Sequence, residues 1–479
     1  MAGIVSYGVY IPFYRLSCEE IGRAWGKRTT PGEKAIAGAD EDSITMAVGA
    51  TLDCLQNGEG DEVDSLYFAS TTPPYALKQS ASIVAAASNL RTDINTADFG
   101  HSLRSGTNAL RCALDAVTSG TSKKVIVTAS ECQIPPPDSE QELTLGDGAA
   151  AFLVSNGDVA VEVEGSYSIT SEFMDFWRLP FDKYTQSWED RFVNEMGYFR
   201  LLPQAVFGLM KKYQLGLKDF YKVVYNAPDL RNHKAMAKVI GFDVKNQIQD
   251  SLFERIGYTG AASAMMMLVS ALEGAKPGER ILFANYGDGA DAFILRVNRR
   301  AKEIIGGKGI NGYLESKSMI PSYGSYLHFR DMMEWEVDRR PPPRTSLPIL
   351  FRESEGLLRL VGQRCKQCLH EQFPRQRICM WCRARMETPD AYDNIWLPKQ
   401  KGSLFSYSME RRAPVVDLPN VNCVVDLEGG ARFYGLMTDR DPQKIKIGMP
   451  MEFTFRKIND GQGVHNYFWK VRPVSLLGI

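Results

Sequence analysis

The chain is poor in histidine, with five in 479 residues, and its net charge is only −1. So even a balance excludes a bulk nucleic-acid binder, which concentrates Lys and Arg. No apolar run is long enough to cross a bilayer. The most apolar helical stretch, 261–272, is too short and contains Ser263 and Ser270. The opening MAGIVSYGVYIP lacks the basic start and apolar centre of a signal peptide and reads as a strand. Cysteine is sparse. Of nine, four cluster and five are scattered, as expected of a reducing cytoplasm and not of a disulfide framework. What remains is a cytoplasmic globular protein, 44% hydrophobic and 24% charged, long enough for roughly two to four domains. Charge is uneven: from Thr345 onward 20 Lys and Arg stand against 14 Asp and Glu. This surplus is read as a solvated surface first and as an attraction for phosphate second.

The stretch ADFGHSLRSGTNAL (97–110) joins a short strand to an amphipathic helix that turns Ala109, Leu110, Ala113 and Val117 inward. A strand that turns sharply into a buried helix lifts one side chain to an apex, above N–H groups able to hold an anion. Enzymes put nucleophiles there. Here the apex residues are Ser102, Leu103 and Arg104, with no cysteine among them. Cys112, farther along the helix, is expected in the core.

The architecture occurs twice. A helix over 105–120, a strand over 124–130 and GDGAAAF from Gly146 are matched by a helix over 260–274, a strand over 280–286 and GDGADAF from Gly287. The two GDG motifs lie 141 residues apart. Recurrence in matching surroundings implies a duplicated α/β unit. Further helices are expected over 42–56, 76–88 and 231–241, and a buried strand over 220–226. The aromatic-rich segment 173–190 is read as core packing, with a pocket lining as the alternative.

The run from Arg339 to Arg344, RRPPPR, marks an extended linker and the main domain boundary. Beyond it, Cys365 and Cys368 form one CxxC, and Cys379 and Cys382 a second, ten residues later. Four thiolates so spaced converge on structural Zn²⁺ and leave no open position for catalysis at the metal. Five short strands separated by Gly, Asp and Pro turns then suggest a small OB-type barrel.

In the stretches GADEDSITMAVGA, STTPPYALKQSASIVAAA, SGTNAL, GDGAAAFLVS, VVYNAPDLRNHKAMAKVIGF, IGYTGAAS and AKPGERILFANYGDGADAF, the chain resembles the thiolase superfamily. Within it, the likeness is to the hydroxymethylglutaryl-CoA synthase and ketoacyl synthase III branch. The tail resembles the zinc-ribbon/OB domain that partners many thiolases. The resemblance implies a five-layered αβαβα fold, a homodimer and an acyl-CoA substrate. It also implies that the acyl-accepting cysteine is replaced by Leu103, the base glutamate by Thr71, the histidine by Asn226 and the helix-start asparagine by Tyr258. The expected domains are two thiolase-like halves (1–160 and 161–335), the linker (336–349), the zinc ribbon (350–395) and the OB fold (396–479).

A leucine cannot be acylated, so ordinary acyl-cysteine chemistry is not expected. Aldol or retro-aldol chemistry on a β-hydroxyacyl-CoA needs only enolate stabilisation and an acid/base. Tyr258 is the candidate acid/base if its pKa is moved towards neutrality, with cysteine-less thiolase-like aldolases as precedent by resemblance. His101 is a candidate proton carrier, Asn226 a donor to a substrate oxygen, and Ser102 a nucleophile without an obvious base. Leu103, Thr71 and the loop glycines Gly287 and Gly289 are expected to line the substrate site, and Arg231 and Lys234 to meet CoA phosphates. The alternatives are a synthase-type Claisen condensation and an inactive acyl-CoA-binding scaffold for another thiolase-family subunit. No nucleic acid or membrane partner is expected.

Overall fold

The duplicated motif builds one sheet, seen in a computed structural model that describes residues 1–29, 31–55, 59–299, 307–334 and 343–474. Its strands are β1 (Ala2–Tyr10), β2 (Ser65–Ala69), β3 (Asn95–Phe99), β4 (Lys124–Glu131), β5 (Gly148–Asn156), β6 (Val161–Thr170), β7 (Lys222–Tyr225), β8 (Arg280–Tyr286) and β9 (Gly289–Val297). Their spatial order is β7-β8-β9-β6-β1-β5-β4-β2-β3. In the first half β2 runs parallel to β4, then β4–β5 and β5–β1 are antiparallel. In the second half β7–β8, β8–β9 and β9–β6 repeat that pattern. The halves meet where β6 pairs with Gly3 and Ile4 of β1. Opposite β7, where β3 would have its counterpart, there is a single parallel bridge from Val223 to Ile248.

Two buried helices lie between the sheet halves. One is α3 (Ser105–Ser119), with Ala109, Leu110, Ala113, Leu114 and Val117 inward and Gly120 closing it at φ 78°. The other is α6 (Ser263–Gly274), buried nearly all round. Gly106 brings them together: a Cβ there would stand 2.8 Å from Met265 Sδ and 2.9 Å from the Ala261 carbonyl. Outside lie α1 (Ser43–Cys54) against β1 and β5, and α4 (Phe199–Tyr213) against β6 and β9. The resulting layers are αβαβα, a thiolase-like arrangement. Cys112 is exposed on the outer face of α3, which corrects its expected place in the core.

Asp42 starts α1 with a reciprocal capping box to Thr45. By contrast, α2 (Ser80–Ala87) begins four residues later than its sequence suggests. Its first N–H groups, Ser80 and Ala81, donate to Asp98 of β3, at 2.7 and 2.8 Å. The helix over 231–241 is α5 (Leu230–Ile240), capped by Asp229 and ended by Gly241 at φ 82°.

Two compact units account for the described chain. The first holds the whole sheet, with strands β1 to β5 from its first half and β6 to β9 from its second. The second takes in Gly38–Glu41, Ala86–Asn89 and the chain from Leu327. Of the linker run, 339–342 lie outside the described residues, as does Gln56 at the expected end of the first helix. In the second unit, β10 (Val361–Cys365) pairs with β11 (Glu371–Gln372) and β12 (Tyr392–Trp396). Then β13 (Gly402–Glu410), β14 (Asn420–Leu427), β15 (Arg432–Met437), β16 (Pro450–Gly461) and β17 (Val464–Pro473) close into a barrel in the order β13-β14-β15-β17-β16. This is the expected OB-type fold. No helix among the described residues is long and apolar enough to cross a membrane.

Candidate active site

Five strands release the chain onto one site just past their C-terminal ends: β2 at Thr71, β3 at Leu103, β4 at Glu131, β7 at Asn226 and β8 at Gly287. Loops beyond the carboxyl ends of parallel strands are where α/β sheets gather ligand groups. A cavity of about 2140 Å³ opens there, lined by Thr71, His101, Ser102, Leu103, Asn226, Arg231, Lys234, Tyr258 and Gly287 among others. All but one of the sequence-named site residues of the first unit are thus brought together. The exception is Gly289, which does not line the cavity. It begins β9, and a Cβ there would meet the Ile169 carbonyl at 2.1 Å, so it is a packing glycine.

The duplicated GDG loops explain their own glycines. Gly287 leaves room for the apex, since its Cβ would stand 2.9 Å from Arg104 N and 3.1 Å from Leu103 Cβ. Gly146 does the same for the segment before α6, where a Cβ would be 1.8 Å from the Ile256 carbonyl. Gly146 N–H donates to the Tyr258 carbonyl at 3.0 Å and Tyr258 N–H to Thr144 at 2.7 Å. Each copy's loop therefore braces the start of the other copy's buried helix. Gly146→Ala is expected to cost about 3 kcal/mol through overpacking against fixed backbone, read as a lower urea midpoint at unchanged slope.

The apex itself offers no thiol. Leu103 is half-buried, Ser102 Oγ accepts the Arg104 N–H at 3.3 Å, and no base among the described residues bonds to that hydroxyl. The exposed His101 sits at φ 64°. Buried Arg104 ties the apex to the second loop, donating to the carbonyls of Ile169 (3.0 Å) and Asp288 (3.2 Å) and pairing with Asp291 at 3.2 Å. Gly287 N–H is spent on the Gly289 carbonyl. The N–H groups of Leu103 and Asp288, both on cavity-lining residues, have no acceptor among the described residues. Among the described residues, Cys18 is the one cysteine lining the cavity, and its Sγ–H donates to the Leu143 carbonyl and packs beside Gly32. Burial raises its pKa, which keeps it a thiol and not a thiolate.

Across from the apex, Asn226 is locked. Its Oδ1 accepts Tyr286 N–H at 2.8 Å, and its Nδ2 donates to the Tyr286 carbonyl at 3.1 Å and to Tyr258 Oη at 3.3 Å. Both amide protons of Asn226 are thus engaged within the protein, one of them on Tyr258 Oη. Tyr258 receives that bond, so its own hydroxyl proton is free to point elsewhere. Burial pushes the Tyr258 pKa up, with the charges of Glu131 and Asp175 adding to the effect. The direction is opposite to the expected movement towards neutrality, so burial favours the protonated hydroxyl. Tyr286 Oη donates to Asp175 at 2.7 Å, and burial raises that carboxyl as well.

Glu131, Asp175 and Tyr286 were not singled out by sequence reasoning. The signal available for Glu131 was its place as the one acidic residue of the strand KVIVTASE, which is buried from Val125 onward. From the aromatic segment, Phe176 and Trp177 line the cavity, whereas Phe181 is fully exposed. On α5, Arg231, Lys234 and Lys238 share one face and line the cavity, all exposed.

In the second unit the thiols of Cys365, Cys368, Cys379 and Cys382 lie within 4.8 Å of one another. Each CxxC closes the same knuckle. Leu369 N–H donates to Cys365 and Arg383 N–H to Cys379, with φ 63° and 64° just past each second cysteine. Four thiols converging so closely without a disulfide fit a tetrahedral Zn²⁺ site.

Comparison with known proteins agrees with this architecture. The model for the C-terminal part of 3-oxoacyl-[acyl-carrier-protein] synthase III matches residues 210–297, and that for the ChsH2 C-terminal OB-fold domain matches residues 397–456. Hydroxymethylglutaryl-CoA synthase of Pyrococcus horikoshii is 35% identical over 342 residues, which span 70% of this chain and 94% of that protein. Its counterpart in Methanocaldococcus jannaschii is 34% identical over 342 residues, 69% and 99% of the two. Among solved structures, an HMG-CoA synthase complexed with CoA superposes with a TM-score of 0.64 at 19% identity, over 72% of this chain and 94% of that one. The 3-oxoacyl-[acyl-carrier-protein] synthase III of Aquifex aeolicus gives 0.56 at 20% identity, over 62% and 100%. By the identity and coverage of the curated relatives, the chain belongs to the hydroxymethylglutaryl-CoA synthase family, with an OB-fold domain fused behind the thiolase-like part.

Proposed function

We propose that the chain binds a CoA thioester in the large cavity and makes or breaks the neighbouring carbon–carbon bond by an aldol-type route, without an acyl-enzyme. The observation that carries this is the apex, where Leu103 occupies the place at which the resemblance puts the acyl-accepting cysteine. A side chain that cannot be acylated removes the covalent half of a synthase cycle. The aldol half needs a grip on the thioester oxygen, for which the free N–H groups of Leu103 and Asp288 are suited. It also needs a proton donor near the carbon that carries the developing charge, for which Tyr258 is suited. Arg231, Lys234 and Lys238 supply the charge for CoA phosphates, in keeping with relatives that act on CoA esters.

The relatives' names favour the synthase-type alternative over cleavage, so the condensing direction is the first to test. A synthase-type condensation through an acyl-enzyme is the second reading, and it would have to use Ser102 or Cys18. Incubation with radiolabelled acetyl-CoA followed by denaturation separates the two. No label is expected on the protein, and label retained on Ser102 or Cys18 would overturn the non-covalent route. Turnover that appears only after adding a second thiolase-family subunit would instead favour the scaffold reading. The active form is proposed to be a homodimer of the thiolase-like unit, with Zn²⁺ structural in the four-cysteine knot.

A further inference from the structure

Behind Thr71 the fold buries a carboxylate that neither the family resemblance nor the relatives account for. Glu131 closes β4 with no exposed surface. Its Oε1 accepts Thr71 N–H at 2.7 Å, and its Oε2 accepts the hydroxyls of Thr71 at 3.0 Å and Thr72 at 2.9 Å. Gly260, at φ 51°, makes the room: a Cβ there would stand 2.9 Å from Glu131 Cγ and 3.1 Å from Cδ. Thr71 itself lines the cavity. One hydroxyl therefore separates the substrate space from a buried carboxylate.

We propose that Thr71 and Glu131 form a proton relay for the substrate's β-oxygen, with Thr71 Oγ1 in contact with substrate and Glu131 as the positioning carboxylate that holds the proton. The proposal rests on the aldol reading. In the cleavage direction the β-hydroxyl O–H bond breaks and its proton passes to Thr71 Oγ1, while the proton already on Thr71 moves to Glu131 Oε2. The alkoxide electrons form the carbonyl, and the Cα–Cβ pair becomes the thioester enolate. That enolate takes the Tyr258 proton, and the cycle closes when Glu131 gives its proton up and Tyr258 regains one through solvent. Condensation runs the same transfers in reverse, with Tyr258 Oη taking the α-proton after its own has gone to solvent, and no redox partner is required.

Burial pushes the Glu131 pKa up to about 7, against the pull of its hydrogen-bond donors. A base that titrates near the working pH is the effective kind. The groups facing it are few. Tyr258 comes from the segment before α6, and Asp147 accepts Gln133 N–H two residues farther on at 2.8 Å. The donors after β2 are neutral, as is the Ala261 N–H. Exposed Arg178 donates to the Thr71 carbonyl at 2.8 Å.

The test uses the full-length protein with 3-hydroxy-3-methylglutaryl-CoA as probe, followed between about pH 5 and about pH 9. Cleavage needs the carboxylate free, so the wild-type rate is expected to rise with pH and level off above about 7. Glu131→Gln should lower kcat roughly a hundredfold and erase that acid limb, leaving CoA affinity unchanged. Thr71→Val should behave alike, and Thr71→Ser should recover most of the rate. Glu131 is held more tightly protonated in the folded chain than unfolded, so it weakens the fold as pH rises through about 7. Glu131→Gln is accordingly expected to melt higher than wild type at alkaline pH while turning over more slowly. An acid limb that survives Glu131→Gln would overturn the relay. Infrared titration of the Glu131 carboxyl, with Glu131→Gln as blank, reads the pair without turnover. A midpoint in the neutral range that moves in Thr71→Val supports it, and a carboxyl ionised throughout overturns it. A wild type that titrates so but cleaves and forms no β-hydroxyacyl-CoA would count against the aldol reading and not against the pair.

Discussion

Tyr258→Phe is expected to lower turnover of a β-hydroxyacyl-CoA about a thousandfold, within the range for loss of a positioned acid, with CoA affinity changed by less than about threefold. The ring keeps its volume, so the buried cluster with Tyr286 and Asn226 should stay packed. What disappears is one hydroxyl, and with it the proton that Asn226 leaves free by donating to Tyr258 Oη at 3.3 Å. Because burial raises the Tyr258 pKa, the group acts as an acid across the working range and gives no limb of its own near neutrality. Asn226→Leu should reproduce part of the loss, since it frees the Tyr258 ring without removing the hydroxyl. Separate measurement of kcat and KM checks the assignment. A variant that loses binding and keeps kcat would make Tyr258 a packing residue.

Stripping metal from the four-cysteine knot is expected to unfold the ribbon. The buried cluster beneath that knot consists of Cys365, Cys379 and Met386, so two of its three members are proposed ligands. Without a metal, almost no apolar core remains to offset chain entropy. In small zinc domains the metal supplies apparent free energies on the order of 10 kcal/mol. Cys379→Ala should act like the chelator, because it opens the tetrahedron at a fully buried position. Elemental analysis should give one zinc per chain. Hydrogen exchange across 361–396 should become fast after chelation, while β4 and β8 stay protected. Metal release should become easier as pH falls, since the ligands are thiolates and protons compete for them. Retained protection after full chelation would show that the ribbon stands on its own core.

Local patterns were legible wherever one residue and its close neighbours decide the outcome. The helix beginning at Asp42, the CxxC knuckles and the strand over 280–286 depend on contacts within a few positions, and each is found where its residues put it. The start of α2 was not legible, because the group that caps Ser80 and Ala81 is Asp98, carried by a different strand. Cys112 was placed inside by spacing alone, but the buried face of α3 is set by the sheet it packs on, above all β4, β5 and β2. Gly289 matched its copy in the motif, yet only the neighbouring β6 reveals that it is there for packing.

The site divides in the same way. Sequence alone determined that the strand-to-helix apex carries Ser102, Leu103 and Arg104 and no cysteine, that two GDG loops recur, and that four cysteines are spaced for one metal. These follow from residue identity and spacing, which survive without coordinates. Only tertiary structure decided that each GDG loop braces the other half's helix, that Asn226 spends its protons on Tyr258 and Tyr286, and that Glu131 stands behind Thr71. Burial and hydrogen-bond partners come from segments far apart in the chain. Those two quantities fix whether a tyrosine is an acid or a base, and whether a carboxylate titrates near neutrality.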